Sequence, residues 1–187
     1  MRIVAGEYGG RRLKTLSGDN TRPTSDKIKG AMFNMLGQYF DGGIVLDLFA
    51  GSGNLSLEAL SRGCDHAYCI DKNFQAISII KENVGLVKAE KHVTIMKKSA
   101  EAALQEFAAK QQVFDLVFLD PPYKDQKIVE QINFMLENGL LAEGAKVVCE
   151  TDKMFNLGEI EELTCLKNQL YGNTRITIYK RERVADE

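Results

Sequence analysis

The run Asp120-Pro121-Pro122-Tyr123 carries the most specific chemistry in the sequence. It follows Val113 to Leu119, the clearest buried-strand pattern in the chain. Proline supplies no ladder donor, so two in succession end a central strand. They also stiffen its exit and fix where their carbonyls point. Such a site suits an exocyclic amino group on a nucleic-acid base. That nitrogen attacks poorly while its lone pair is delocalised into the ring. Two acceptors, the Asp120 carboxylate and the Pro121 carbonyl, favour a more tetrahedral nitrogen with its lone pair aimed at a methyl donor. Tyr123 offers a ring for the base to stack on, an interaction worth ~1–3 kcal/mol. The plain alternative is a rigid Asp-Pro-Pro turn without chemistry.

A second constellation lies upstream in Asp47-Leu48-Phe49-Ala50-Gly51-Ser52-Gly53-Asn54-Leu55. This stretch follows a buried strand and opens a helix. Glycines at 51 and 53 permit a tight turn and close approach of backbone to a ligand. Loops at the carboxyl ends of strands are where open α/β sheets bind ligands. Gly-x-Gly alone also fits an ordinary tight turn, and Ser56 stands where the dinucleotide fingerprint has its third glycine. Asp47 before the loop adds a carboxylate for the charged amino-acid end of a cofactor. Asp71 ends the next strand, twenty residues beyond Gly51, where an acidic side chain can accept ribose hydroxyls. Its structural alternative is a helix N-cap, since a helix pattern starts at Phe74. Gly51, Gly53 and Asp71 thus point to a nucleoside cofactor without saying which.

The elements that position these residues alternate regularly. Ile44 to Phe49, Ala67 to Ile70, Val93 to Met96, Val113 to Leu119 and Ala145 to Glu150 read as strands. Leu55 to Arg62, Phe74 to Val84, Ala100 to Lys110 and Lys127 to Glu137 read as helices between them. This alternation predicts βαβ units and a parallel sheet covered on both faces. Leu166 to Tyr171 and Thr174 to Lys180 flank Gly172-Asn173 and predict a closing antiparallel hairpin. Ahead of the sheet, Arg2 to Ala5 and Arg11 to Leu16 flank glycines and suggest a small hairpin. Thr21 to Asp26 reads as a turn into a helix carrying Ile28, Ala31, Met32, Met35 and Leu36. The expected division is a β-hairpin and helix over residues 1–40, then a Rossmann-like α/β domain over 41–187.

The chain has 187 residues, 44% of them hydrophobic, enough for a sizeable core. Cys64, Cys69, Cys149 and Cys165 lack the close spacing of a zinc site and read as reduced, buried thiols. With only His66 and His92 besides, no metal is expected. The opening residues lack a signal-peptide pattern, and no apolar run approaches the ~20 residues of a membrane span; a cytoplasmic protein is expected. The net charge is −2, yet residues 1–40 hold seven basic against three acidic side chains. A basic end on an acidic body fits a phosphate backbone, and equally fits a solvated surface of uneven charge.

Taken together, the motifs resemble a known family. Asp120-Pro121-Pro122-Tyr123 is similar to the (Asp/Asn)-Pro-Pro-(Tyr/Phe) motif of amino-group methyltransferases. Arg2-Ile3-Val4-Ala5-Gly6, Gly10-Arg11-Arg12-Leu13, Thr21-Arg22-Pro23-Thr24, Ala31-Met32-Phe33-Asn34, Asp47 to Gly53 and Leu57 to Gly63 resemble the RsmD family. The resemblance runs from Arg2 to about Lys180. It implies a class I S-adenosylmethionine-dependent methyltransferase with a mostly parallel seven-stranded sheet, acting on N2 of a guanine in bacterial 16S ribosomal RNA. It implies a cofactor site of Asp47, Phe49, Gly51, Ser52, Gly53, Asp71, Lys72, Ser99, Ala100 and Asp120. The Ser99-Ala100 pair would meet adenine, and Asp120, Pro121, Pro122 and Tyr123 would hold the base. Arg2, Arg11, Arg12, Lys14, Arg22 and Thr24 would face the RNA, free or within a small subunit or assembly intermediate. Ser99 stands where the family commonly has Asn or Asp, which shifts the hold on the adenine amine toward backbone.

Three other readings compete. An adenine-N6 methyltransferase on DNA or RNA would use the same Asp-Pro-Pro-Tyr run. An NAD-binding oxidoreductase would explain Gly51, Gly53 and Asp71, but not the lost third glycine or Asp120 to Tyr123. A non-catalytic RNA-binding module would need only the basic N-terminus.

Overall fold

A computed structural model describes residues 1–16, 26–122 and 126–182. Arg22, Thr24 and Tyr123 lie outside the described residues. The elements run α1 (Asp26–Leu36), β1 (Ile44–Asp47), α2 (Asn54–Ser61), β2 (His66–Asp71), α3 (Phe74–Leu86), β3 (Val93–Lys97), α4 (Ala100–Lys110), β4 (Phe114–Leu119), α5 (Ile128–Glu137), β5 (Leu141–Asp152), β6 (Leu163–Tyr171) and β7 (Thr174–Arg181). A short 3₁₀ turn, Glu90–His92, precedes β3.

Seven strands form one sheet in the order β3-β2-β1-β4-β5-β7-β6. The first five are parallel, and β7 pairs antiparallel with both β5 and β6. Only β7 therefore opposes the common direction. This is the Rossmann-like sheet of class I methyltransferases expected from the sequence.

Side chains alternate across the sheet with the strand period of two. Val45, Leu116 and Phe118 join the core beneath α1, α2 and α3, with Met32, Phe33, Leu57, Ile77 and Ile80. Leu46, Val117 and Leu119 join the opposite core beneath α4 and α5, with Leu104, Phe107, Ile132 and Met135. Helix starts are well specified. The Asn73 side chain caps α3 through the Gln75 N–H (2.8 Å), and Ser99 caps α4 through the Ala102 N–H (3.1 Å). Gly172, at φ 60°, takes the first position of the β6–β7 turn. β5 begins at Leu141, earlier than the sequence pattern places it, because Leu141 pairs with Phe114 before a register shift.

The N-terminal hairpin is reduced to a single bridge between Arg2 and Arg12. Its two segments do run antiparallel, but much of their backbone is bonded to the helices instead. Glu58 on α2 accepts the N–H groups of Val4 (2.8 Å) and Ala5 (3.2 Å). The end of α2 accepts the next turn: Glu7 N–H reaches the Ser61 carbonyl at 2.8 Å and Tyr8 N–H its hydroxyl at 2.8 Å. Gly6 sits so close that a Cβ there would lie 1.9 Å from the Ser61 oxygen. Beneath this turn Glu58 pairs with Lys29 (3.0 Å) and Arg62 (2.8 Å), all three buried. Burial alone would raise the Glu58 carboxyl; the Val4 N–H and the two cations hold it below its usual range.

Cys64, Cys69 and Cys149 are buried free thiols as expected, whereas Cys165 is exposed on β6. Among the described residues no group of three or more His, Cys, Asp or Glu side chains is placed to hold a metal ion. No helix among them is long and apolar enough to cross a membrane.

Candidate active site

The sheet order turns residues distant in sequence into a row. Asp71 ends β2 and Asp47 ends β1. Asp120 directly follows β4, and Glu150 lies beside it on β5, next to the Leu119–Cys149 pair. Four carboxylates thus stand along the carboxyl edge of the sheet in the order Asp71, Asp47, Asp120, Glu150. The centre of the row is the junction of β1 and β4, where strand order reverses and where open α/β sheets bind ligands.

The loop after β1 is tied to β4 by the Leu48 N–H on the Phe118 carbonyl at 3.2 Å, and more extensively to β2. Ala50 N–H reaches the Ile70 carbonyl at 2.8 Å, and Gly51 N–H reaches Asp71 Oδ2 at 3.0 Å. Asp71 Oδ1 accepts the Asn73 N–H at 2.9 Å. The cap of α3 belongs to Asn73, so the N-cap alternative for Asp71 does not hold. Gly51 takes φ +60°, and a side chain there would enter open space at the sheet edge. Gly53, at φ 80°, precedes α2 and provides no side-chain cap. The first turn of α2 therefore offers N–H groups to an anionic ligand.

Asp47 is almost fully buried. Its Oδ2 accepts the Ser56 hydroxyl at 2.8 Å, while Oδ1 is buried and has no partner among the described residues. Burial pushes its pKa up to about 7, helped by the negative charge of Asp71 and opposed by the Ser56 hydroxyl. Ser56 fills the third-glycine position of the fingerprint, and its hydroxyl fixes the acid at the loop entrance.

Asp120 is partly buried and Pro121 fully so, while Pro122 is exposed. Burial raises the Asp120 carboxyl well above its usual range, reinforced by the charge of Glu150, a hydrogen bond shared with it, and the charge of Asp47. Pro121, Gln126, Glu150, Thr151 and Phe155 line a small recess here. A carboxyl pair sharing a proton beside a rigid carbonyl can accept the hydrogens of an amine.

The remaining candidates are spread more widely. Phe49 is half-buried beside the α4–α5 core. Ser52 lies on the loop, and Lys72 and Ser99 are exposed, the Ser99 hydroxyl serving as the α4 cap. Ala100 is buried next to it. Arg2, Arg11, Arg12 and Lys14 are all exposed on the N-terminal arm. Lys29, counted among the basic residues of this end, is wholly buried and adds nothing to its surface. Sequence reasoning gave no role in the site to Glu150 or Asn83 and took Ser56 only as a missing glycine. The one available signal was that Glu150 ends a strand pattern, as Asp47 and Asp71 do.

Comparison with known proteins places the chain among close relatives. A family model described as conserved hypothetical protein 95 matches residues 1–180. The Bacillus subtilis protein "Putative rRNA methyltransferase YlbH" is 43% identical over 182 residues, 97% of this chain and 99% of that one. "Ribosomal RNA small subunit methyltransferase D" of Escherichia coli (strain K12) is 31% identical over 97% of this chain and 90% of its own length. A solved Streptococcus pyogenes structure, titled a conserved hypothetical protein, superposes with a TM-score of 0.79 at 47% identity, covering 82% of this chain and 95% of that chain.

Proposed function

The chain belongs to the RsmD family of methyltransferases, and from that premise we propose that it transfers a methyl group from S-adenosylmethionine to the exocyclic N2 amine of a guanine in bacterial 16S ribosomal RNA. The observation that carries this reading is the junction of β1 and β4. There the glycine loop with Asp47 stands next to the Asp120-Pro121-Pro122 exit.

Three features fit the cofactor. The buried Asp47 Oδ1, without a partner among the described residues, suits an ammonium group. The uncapped start of α2 suits a carboxylate, and Asp71, already aligned by Gly51 and Asn73, suits ribose hydroxyls. When bound, the cofactor supplies a methyl group on positively charged sulfur, a strong electrophile. The protein's part is then positioning and electrostatics. Asp120 and the Pro121 carbonyl accept the amine hydrogens and turn its lone pair out of conjugation, and Tyr123 stacks on the base. After transfer, the acidified nitrogen gives up one proton, and Asp120, with its raised affinity, is the nearest acceptor.

Residues 1–40 form the RNA-contacting extension in this reading, with Arg2, Arg11, Arg12, Lys14, Arg22 and Thr24 toward the RNA. Residues 41–187 form the catalytic domain. A loop or assembly-intermediate RNA presents an unstacked base more cheaply than a duplex, where flipping costs a few kcal/mol. The test is to incubate the protein and labelled S-adenosylmethionine separately with small subunits, naked ribosomal RNA and duplex DNA, then identify the methylated nucleoside. N2-methylguanosine from the ribosomal samples is expected; N6-methyladenine would overturn the substrate assignment.

Asp71→Ala is expected to weaken binding of S-adenosylhomocysteine, the product form of the cofactor, by about 10–100-fold. It removes both the ribose acceptor and the partner of the Gly51 N–H, interactions of about 1–3 kcal/mol together. Unchanged affinity by calorimetry would take Asp71 out of the site.

A further inference from the structure

Two buried polar side chains join the basic arm to the glycine loop. Asn83, on α3, is fully buried. Its Nδ2 donates to the Lys14 carbonyl at 2.9 Å and the Ser52 carbonyl at 2.8 Å, and its Oδ1 accepts the Lys14 N–H at 2.8 Å. Lys29, on α1, is also fully buried. Its Nζ donates to the Arg2 carbonyl at 2.7 Å and to Asn54 Oδ1 at 2.7 Å, and pairs with Glu58 at 3.0 Å. Ser52 and Asn54 flank Gly53, the left-handed residue that starts α2. Arg2 and Lys14 are two of the exposed basic residues of the arm. Their side chains face outward while their backbones are held from beneath, each by the side chain that also holds one flank of the loop.

Asn83 and Lys29 hold the arm at residues 14 and 2, outside the stretch bound by Glu58 and Ser61. Glu58 and Ser61 already bind the arm backbone from Val4 to Tyr8. Asn83 and Lys29 add contacts that each end on both units. Any ligand that fixes Arg2 and Lys14 also fixes these two side chains, and through them Ser52 and Asn54. Each of these side chains is thus a single link shared by the two units.

We propose that Asn83 and Lys29 are positioning residues that couple the cofactor loop to the arm, so that the cofactor and RNA each tighten the other's binding. The coupling rests on the reading of the arm as RNA-contacting. Its signature is reciprocal: the factor by which RNA tightens the cofactor must equal the factor by which the cofactor tightens RNA.

The experiment measures S-adenosylhomocysteine affinity of the full chain by calorimetry, with and without naked small-subunit ribosomal RNA and, separately, whole small subunits, the larger of the two ratios being read. For the unaltered protein an increase of about 10-fold with RNA is expected, within the usual range of such couplings. In Asn83→Ala the ratio should fall below about twofold. Asn54→Ala removes only the loop contact of Lys29, keeps the Lys29–Glu58 pair, and should give an intermediate ratio; it carries the test alone if Asn83→Ala does not fold. A purely structural role would lower melting temperature and scale both affinities together, leaving the ratio intact, and that result overturns the proposal. So does a ratio of one in the unaltered protein. A parallel incubation of the same protein and RNA with labelled S-adenosylmethionine, followed by nucleoside analysis, separates this from the substrate reading: N6-methyladenine would defeat the guanine assignment while leaving the ratio to decide the coupling.

Discussion

Asp120→Ala is expected to lower turnover by about 10²–10³-fold, the usual cost of one preorganised electrostatic contact to the reacting group, with cofactor affinity nearly retained. The asymmetry follows from position. Asp47 and Asp71 serve the cofactor half of the row, whereas Asp120 shares its hydrogen bond with Glu150 on the side away from the glycine loop. The shared proton adds a pH signature. An amine needs acceptors, and Asp120 accepts best as a carboxylate. Burial and Glu150 favour the protonated form, so activity should rise with pH through the titration of the pair, whose apparent pKa belongs to both groups. Glu150→Gln removes a negative charge and leaves a neutral partner for Asp120. The acid limb of the kcat/KM profile should then move to lower pH. A profile unmoved by Glu150→Gln, or near-normal turnover in Asp120→Ala, would break this account.

Much of this was legible from residue order because apolar periodicity reports on the sheet. Leu46, Val117 and Leu119 on one face and Val45, Leu116 and Phe118 on the other are what alternating strands between helices require. The strand-end acids Asp47, Asp71 and Asp120 could be picked out because each closes an apolar run. Buried charge hides better. Lys29 and Glu58 occupy helix positions where charged side chains ordinarily face water, and nothing local shows that each is the other's partner inside the core. The N-terminal segments looked like strands because their composition suits strands. The structure instead spends several of their N–H groups on Glu58, Ser61 and Asn83, acceptors far along the chain. Glu150 was missed for a related reason: its role depends on standing beside Asp120, which only the β4–β5 register supplies.

Asp47→Asn should stabilise the protein at pH 8 while weakening cofactor binding. The folded-state pKa of about 7 lies above the usual carboxylate value, chiefly because the group is buried. Between about pH 4 and pH 7 the native state therefore binds more protons than the unfolded chain. Stability falls as pH rises through that window, and the loss is complete above it. A shift of this size corresponds to roughly 4 kcal/mol. Asparagine carries no charge to desolvate, so the variant's melting temperature should exceed that of the unaltered protein at pH 8, and the gap should close near pH 4. The acid is kept, in this account, because an ammonium beside Oδ1 restores the favourable charge. Cofactor binding then converts Asp47 to the carboxylate and releases a proton. Affinity for S-adenosylhomocysteine should rise with pH between 6 and 7 and level off toward 8. Calorimetry in phosphate and in Tris would detect the released proton as a buffer-dependent heat, and Asp47→Asn should abolish both the slope and the buffer difference. A flat affinity from pH 6 to 8, or an unchanged melting temperature at pH 8, would mean that Asp47 is neither strained without the cofactor nor relieved by it.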